Sequence, residues 1–117
     1  MKSSSLQDLQ PPLDRAIVDA MIASTPENWS HIVLTLRRPA EDRKVGHFTH
    51  ELSSPVGLPP VAPDDALFDA TYRLDELLQA RGALLSRAVY EVHFIEGQGR
   101  FTASFEYAAP PEANGHS

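Results

Sequence analysis

The sequence predicts an α+β fold: two layers in the order α-β-β-α-β-β, with a four-stranded, mainly antiparallel sheet and two helices on one face. Three observations carry this expectation. Apolar residues recur at helical spacing in two segments, and alternate with polar ones in four others. The strand segments follow one another in pairs, which favours hairpins. Each helix has a single apolar stripe and the last strand is polar on one side, so one sheet face is covered and the other meets water.

The first helix is expected over residues 12–24. Pro11-Pro12 suits a first turn, where the missing N–H costs nothing, and Leu13, Ile17, Ala20, Met21 and Ser24 then follow the helical period. Pro26 stops it. From Trp29 to Arg38 the period changes to two: Ile32, Leu34 and Leu36 alternate with His31, Val33, Thr35 and Arg37. Trp29 is expected to pack over the edge of the core. After the polar connection Ala40 to Lys44, a second strand is read from Val45 to Leu52, with Phe48 and Leu52 on one face. Residues 53–63 form a Pro-rich connection whose Val56, Leu58 and Val61 can pack on the body.

Pro63-Asp64-Asp65 begins the second helix, where Asp64 or Asp65 can cap the free N–H groups of the first turn. Leu67, Ala70, Thr71, Leu74, Leu77 and Leu78 form the clearest helical stripe in the chain, and Arg81-Gly82 is a C-terminal signal. A third strand is read over Ala88 to Ile95. Glu96-Gly97-Gln98-Gly99 supplies turn residues, and Arg100 to Tyr107 is the partner strand, with Phe101, Ala103, Phe105 and Tyr107 on one face. Residues 1–10 are expected to be a flexible lead-in, 11–107 a single domain, and 108–117 a disordered tail.

The 117 residues amount to one domain's worth, and 10 Lys plus Arg against 16 Asp plus Glu leave a net charge of −6. That balance argues against binding nucleic acid directly, which takes cations to neutralise phosphates, and against an anionic membrane surface. There is no cysteine, which excludes disulfides, thiol catalysis and Cys-ligated metal. No apolar run forms a signal or a membrane span, so a cytoplasmic location is expected.

No catalytic residues are expected. No G-x-S-x-G elbow, HExxH or phosphate-binding loop is present. His31, His47, His50, His93 and His116 are the candidate soft ligands; His47 and His50, three apart, point to opposite faces of a strand. No metal or cofactor is therefore expected. Asp65, Asp69, Tyr72, Asp75, Glu76 and Gln79 are read as the outer face of the second helix. Such a face is ordinarily just solvated. The functional reading is an acidic docking surface of Asp65, Asp69, Tyr72, Asp75 and Glu76, with Tyr72 as its anchor.

Three stretches together resemble the YezG-like immunity (antitoxin) proteins of bacteria. They are Glu27-Asn28-Trp29-Ser30-His31-Ile32-Val33-Leu34, then Phe48-Thr49-His50-Glu51-Leu52 followed by a Pro-containing gap and Leu67-Phe68, and last Gly99-Arg100-Phe101-Thr102-Ala103-Ser104-Phe105-Glu106-Tyr107. The resemblance covers roughly residues 12–107. It implies a small acidic cytosolic protein that binds and neutralises a toxin, often a nuclease delivered between competing cells, and that is not an enzyme. Two departures stand out: Leu85-Ser86-Arg87-Ala88 replaces a Pro-Trp pair before the third strand, and Ala108-Ala109 replaces acidic residues after Tyr107. The matching motifs are structural, so they carry no interface residues over.

The expected partner is thus a protein, a basic toxin domain. Two rival readings remain open. One is a small enzyme or ligand-binding domain with a pocket between helices and sheet, built from His31, His47, His93 and Tyr90. The other is a homodimer formed through an exposed strand edge, Val45 to Leu52 or Arg100 to Tyr107.

Overall fold

Burial of the alternating residues of one strand organises the molecule. In the computed structural model, which describes residues 6–26, 29–39, 42–54 and 60–108, β1 (His31–Arg37) turns Ile32, Leu34 and Leu36 inward, each almost wholly buried. The other elements are α1 (Leu6–Ser24), β2 (Thr49–Ser53), α2 (Asp65–Ala80), β3 (Leu85–Ile95) and β4 (Gln98–Tyr107). The sheet order is β2-β1-β3-β4 and every pairing is antiparallel. The path from β2 through α2 to β3 therefore crosses β1. Register places Leu34 between Leu52 and Tyr90, Ile32 opposite Val92, and Leu36 opposite Ala88, so these four sheet neighbours share the inward face.

Ile17 and Met21 of α1 and Leu67, Leu74 and Leu78 of α2 close over that face, each with no exposed surface. They form one apolar cluster with the strands, as a two-layer domain requires. The expected α+β architecture is present, with both helices on the same side. Trp29 is buried at the cluster's edge, as its place at the strand entry predicts.

Element ends differ from the sequence reading for identifiable reasons. α1 begins at Leu6, not at residue 12, and runs through Pro11 and Pro12; residues 6–10 of the expected lead-in are helical. These prolines donate no bond to the turn before them, which is why they read as a start. β2 begins at Thr49, not Val45. Val45 and Gly46 form a turn, with Gly46 at φ 73°, and a side chain there would meet the Tyr72 ring. β3 begins at Leu85, three residues early. A register irregularity between Leu85 and Arg87 turns Leu85 and Ala88 to the same side, which breaks the period of two.

The helix and hairpin signals hold in detail. Asp64 caps α2 by accepting from the Leu67 N–H at 3.1 Å. At the other end the Gly82 N–H reaches the Gln79 carbonyl and the Ala83 N–H the Leu78 carbonyl, a Schellman closure. Glu96 and Gly97 both have positive φ, the two-residue turn whose twist suits a hairpin. Val61 pairs with Leu52 and packs on the core, as expected for the Pro-rich connection. The readings of residues 1–5, Glu27-Asn28, Ala40-Glu41, Val56 and Leu58, and 109–117 lie outside the described residues.

A polar contact ties α1 to the sheet. The Tyr90 hydroxyl donates to Asp14 Oδ1 at 2.6 Å. Burial raises the Asp14 carboxyl above its ordinary value, outweighing the hydrogen bonds from Tyr90 and Gln10 that lower it. A carboxyl raised on folding favours the native state below its unfolded value and loses that contribution as pH climbs through the folded one. Asp14→Asn keeps an acceptor for Tyr90 without the charge. The variant is expected to be more stable than the parent at neutral pH, and the gap should close as pH falls through the carboxylate range, read from urea midpoints at both ends.

Candidate functional site

The outer face of α2 presents a contiguous stripe at helical spacing. Asp65, Phe68, Asp69, Tyr72 and Glu76 each have another of the set three or four residues away, and all are exposed. Phe68 and Tyr72 retain 45% and 46% of their surface, unusual for aromatic rings that have a core available next to them. Both are held from below. The His50 ring meets Phe68 edge-on at 4.6 Å, and Tyr72 lies over Gly46. Asp69 pairs with Arg73 at 2.9 Å, but both are largely exposed, and such a pair contributes little and opens readily.

Four of the five residues read from sequence as a docking surface share this stripe: Asp65, Asp69, Tyr72 and Glu76. Asp75 does not. It has no exposed surface, and its Oδ2 accepts from Arg38 Nη2 at 2.7 Å, the Gly46 N–H at 2.8 Å and Gln79 Nε2 at 3.1 Å. The buried stripe of α2 is Leu67, Ala70, Thr71, Leu74, Asp75 and Leu78, so the helix is rotated to bury position 75, while Leu77 is only half-buried. Asp75 occupies an inward angle with a polar side chain, and its partner lies 37 residues earlier. The sequence reading also left out Phe68, although its place off the apolar stripe and one turn before Tyr72 was a usable signal.

Arg38 is equally enclosed, with 3% of its side chain exposed. Its Nε donates to the Leu85 carbonyl at 2.7 Å, its Nη1 to the carbonyls of Lys44 and Asp42, and its guanidinium lies 4.7 Å from the Phe48 ring centre. Beside it, Asp42 is held below the usual carboxylate range, first by the Lys44 N–H and then by His47.

The histidines scatter. His47 pairs with Asp42. His50 lies 2.8 Å from the Thr71 hydroxyl and donates from Nδ1 to the Phe48 carbonyl, and burial lowers its pKa. Tyr90 is deep in the core, with its hydroxyl on the half-buried Asp14. The space between helices and sheet, where the ligand-binding reading puts a pocket of His31, His47, His93 and Tyr90, is filled by apolar side chains. His31 and His93 do come together, as a cross-strand pair on the opposite, open face of the sheet. A groove of about 400 Å³ lies at the end of the domain between Ile22, Trp29, Ile32 and Phe94. Among the described residues no helix is long and apolar enough to cross a membrane.

No protein-family model matches this chain, and no curated protein matches it significantly.

Removing one member of the Arg38–Asp75 pair leaves a buried charge without its counterion, at a cost of about 3–5 kcal/mol. Arg38→Met is therefore expected to lower the stability by about that amount, while Arg38→Met with Asp75→Leu recovers most of it. Equilibrium unfolding of the single and double variants checks this.

Proposed function

We propose that the protein is a non-enzymatic binding module, resembling a cytosolic immunity protein of the YezG-like kind, that neutralises a basic toxin domain by covering part of its surface. The observation that carries this reading is the exposed pair Phe68 and Tyr72 set among Asp65, Asp69 and Glu76. Aromatic residues supply most of the binding energy where they are desolvated at the centre of an interface. Carboxylates around them attract a cationic partner and steer its approach. The support beneath both rings reduces the ordering cost of binding. The overall −6 charge has the same sign as this face.

Self-association through β4 is the second reading. This ten-residue strand forms one edge of the sheet, and Phe101 and Tyr107 on it remain exposed. Unpaired edges of this kind accept a further strand. A solution mass equal to one chain at high concentration would remove it.

The partner to test is the C-terminal domain of a secreted toxin encoded beside the gene. Co-expression of the protein is expected to protect cells from that domain, and the complex should weaken as salt is raised. Tyr72→Ala is expected to cost about 2 kcal/mol, roughly thirtyfold in Kd. Asp69→Lys combined with Glu76→Lys should slow association. Failure of the parent protein to protect overturns the reading.

A further inference from the structure

We propose that His31, Glu91 and His93 form a binding site for a divalent transition-metal ion on the open face of the sheet. Glu91 and His93 are two apart on β3, so their side chains leave the same face. His31 on β1 is the register partner of His93. The three residues come from the two inner strands; Glu91 and His93 are paired on both sides, to β1 and β4, and His31 to β3.

The side chains converge on one point. His31 Nε2 lies 2.9 Å from Glu91 Oε2, and His93 Nε2 lies 3.9 Å from the same oxygen. One ligand atom from each residue fits within 4.8 Å of the others. The imidazole rings lie 3.8 Å apart, centre to centre, inclined at 30°. A hydrogen bond between His31 and Glu91 explains the first distance. It does not explain why a second imidazole turns its Nε2 to the same carboxylate oxygen.

Ligands about 2.0–2.2 Å from a tetrahedral zinc ion stand roughly 3.4 Å from one another. Small side-chain rotations bring the three donors to that separation without moving the strands. Two imidazoles and one carboxylate favour zinc and its neighbours over magnesium or calcium, which take all-oxygen shells. The ligands are only partly buried, so the remaining coordination positions face solvent. Register places Arg100 opposite His93, so the bound cation has one positive neighbour on β4, which moderates its affinity.

The test uses untagged, chelator-treated protein and two probes, Co2+ by visible absorption and Zn2+ by calorimetry. One equivalent is expected to bind, with nitrogen-ligand bands for Co2+, and Zn2+ should raise the melting temperature. His31→Gln, His93→Gln and Glu91→Gln are each expected to weaken binding by at least about tenfold. They should also abolish the thermal shift while keeping the parent's circular dichroism. His47→Gln, which alters the separate pair with Asp42, should bind like the parent. Absence of saturable binding at micromolar Zn2+, or binding that survives the His31 and His93 substitutions, overturns the proposal.

Discussion

The rest of the structure turns on the buried pair of Arg38 and Asp75. Arg38 stands just past the end of β1, and its guanidinium joins the start of β3 at Leu85, the loop carbonyls of Asp42 and Lys44, and α2 at Asp75. Asp75 in turn takes the Gly46 N–H. One cation and one anion therefore join two strands, a loop and a helix. Burying two charges is costly, and an apolar pair of the same volume can be at least as stable. What the charged pair adds is direction. The α2 sequence offers two ways to bury an apolar face, one centred toward Leu77 and one toward Thr71, Asp75 and Leu78. Only the second gives Arg38 a counterion, and it is the rotation observed.

That rotation decides what α2 presents to solvent. With Asp75 inward, positions 65, 68, 69, 72 and 76 face out together. Centring the buried face on Leu77 would bring Asp69 and Arg73 closer to the core and would cover less of the Phe68 side. Asp75 lies one turn past Tyr72 and two past Phe68 on the same flank of the helix, so the ion pair marks the border between the buried stripe and the exposed aromatic pair. The 42–46 loop works in the same sense. Its Gly46 is fixed by Asp75 and has no side chain to displace Tyr72. The ring that anchors the proposed interface is positioned by the contact that holds the fold.

Local signals made much of this legible in the sequence. The capping Asp64, the closing Gly82, the alternation in β1 and the turn at Glu96-Gly97 each depend on a few consecutive residues, and each appears where its chemistry predicts. The misread features depend on residues far apart. Asp75 looked like a surface acid because its arginine is 37 positions away. The bulge near Ser86 hid the start of β3, because alternation fails at such a point. Spacing along the chain relates His47 to His50, three residues apart, and gives no means of pairing His31 with His93. That pair exists only because β1 and β3 are adjacent in a particular register, with β2 displaced to the other edge by the crossover through α2.

The same crossover separates the two candidate surfaces. α2 lies over the face that carries Ile32, Leu34 and Leu36, while His31 belongs to the alternate set and points the other way. A partner seated on Phe68 and Tyr72 is therefore separated from His31, Glu91 and His93 by the full thickness of the sheet. The two surfaces also differ in what they ask of the chain. The α2 face needs a helix held at one angle, which Arg38 provides across a buried contact. The histidine cluster needs only that two inner strands keep their register, and the packed residues Ile32 and Val92, paired on the opposite face, enforce that register. A slip of β1 by one residue would put the His31 imidazole into the apolar layer and Ile32 into water. The hydrophobic pattern that makes the sheet is thereby also what brings His31 to His93.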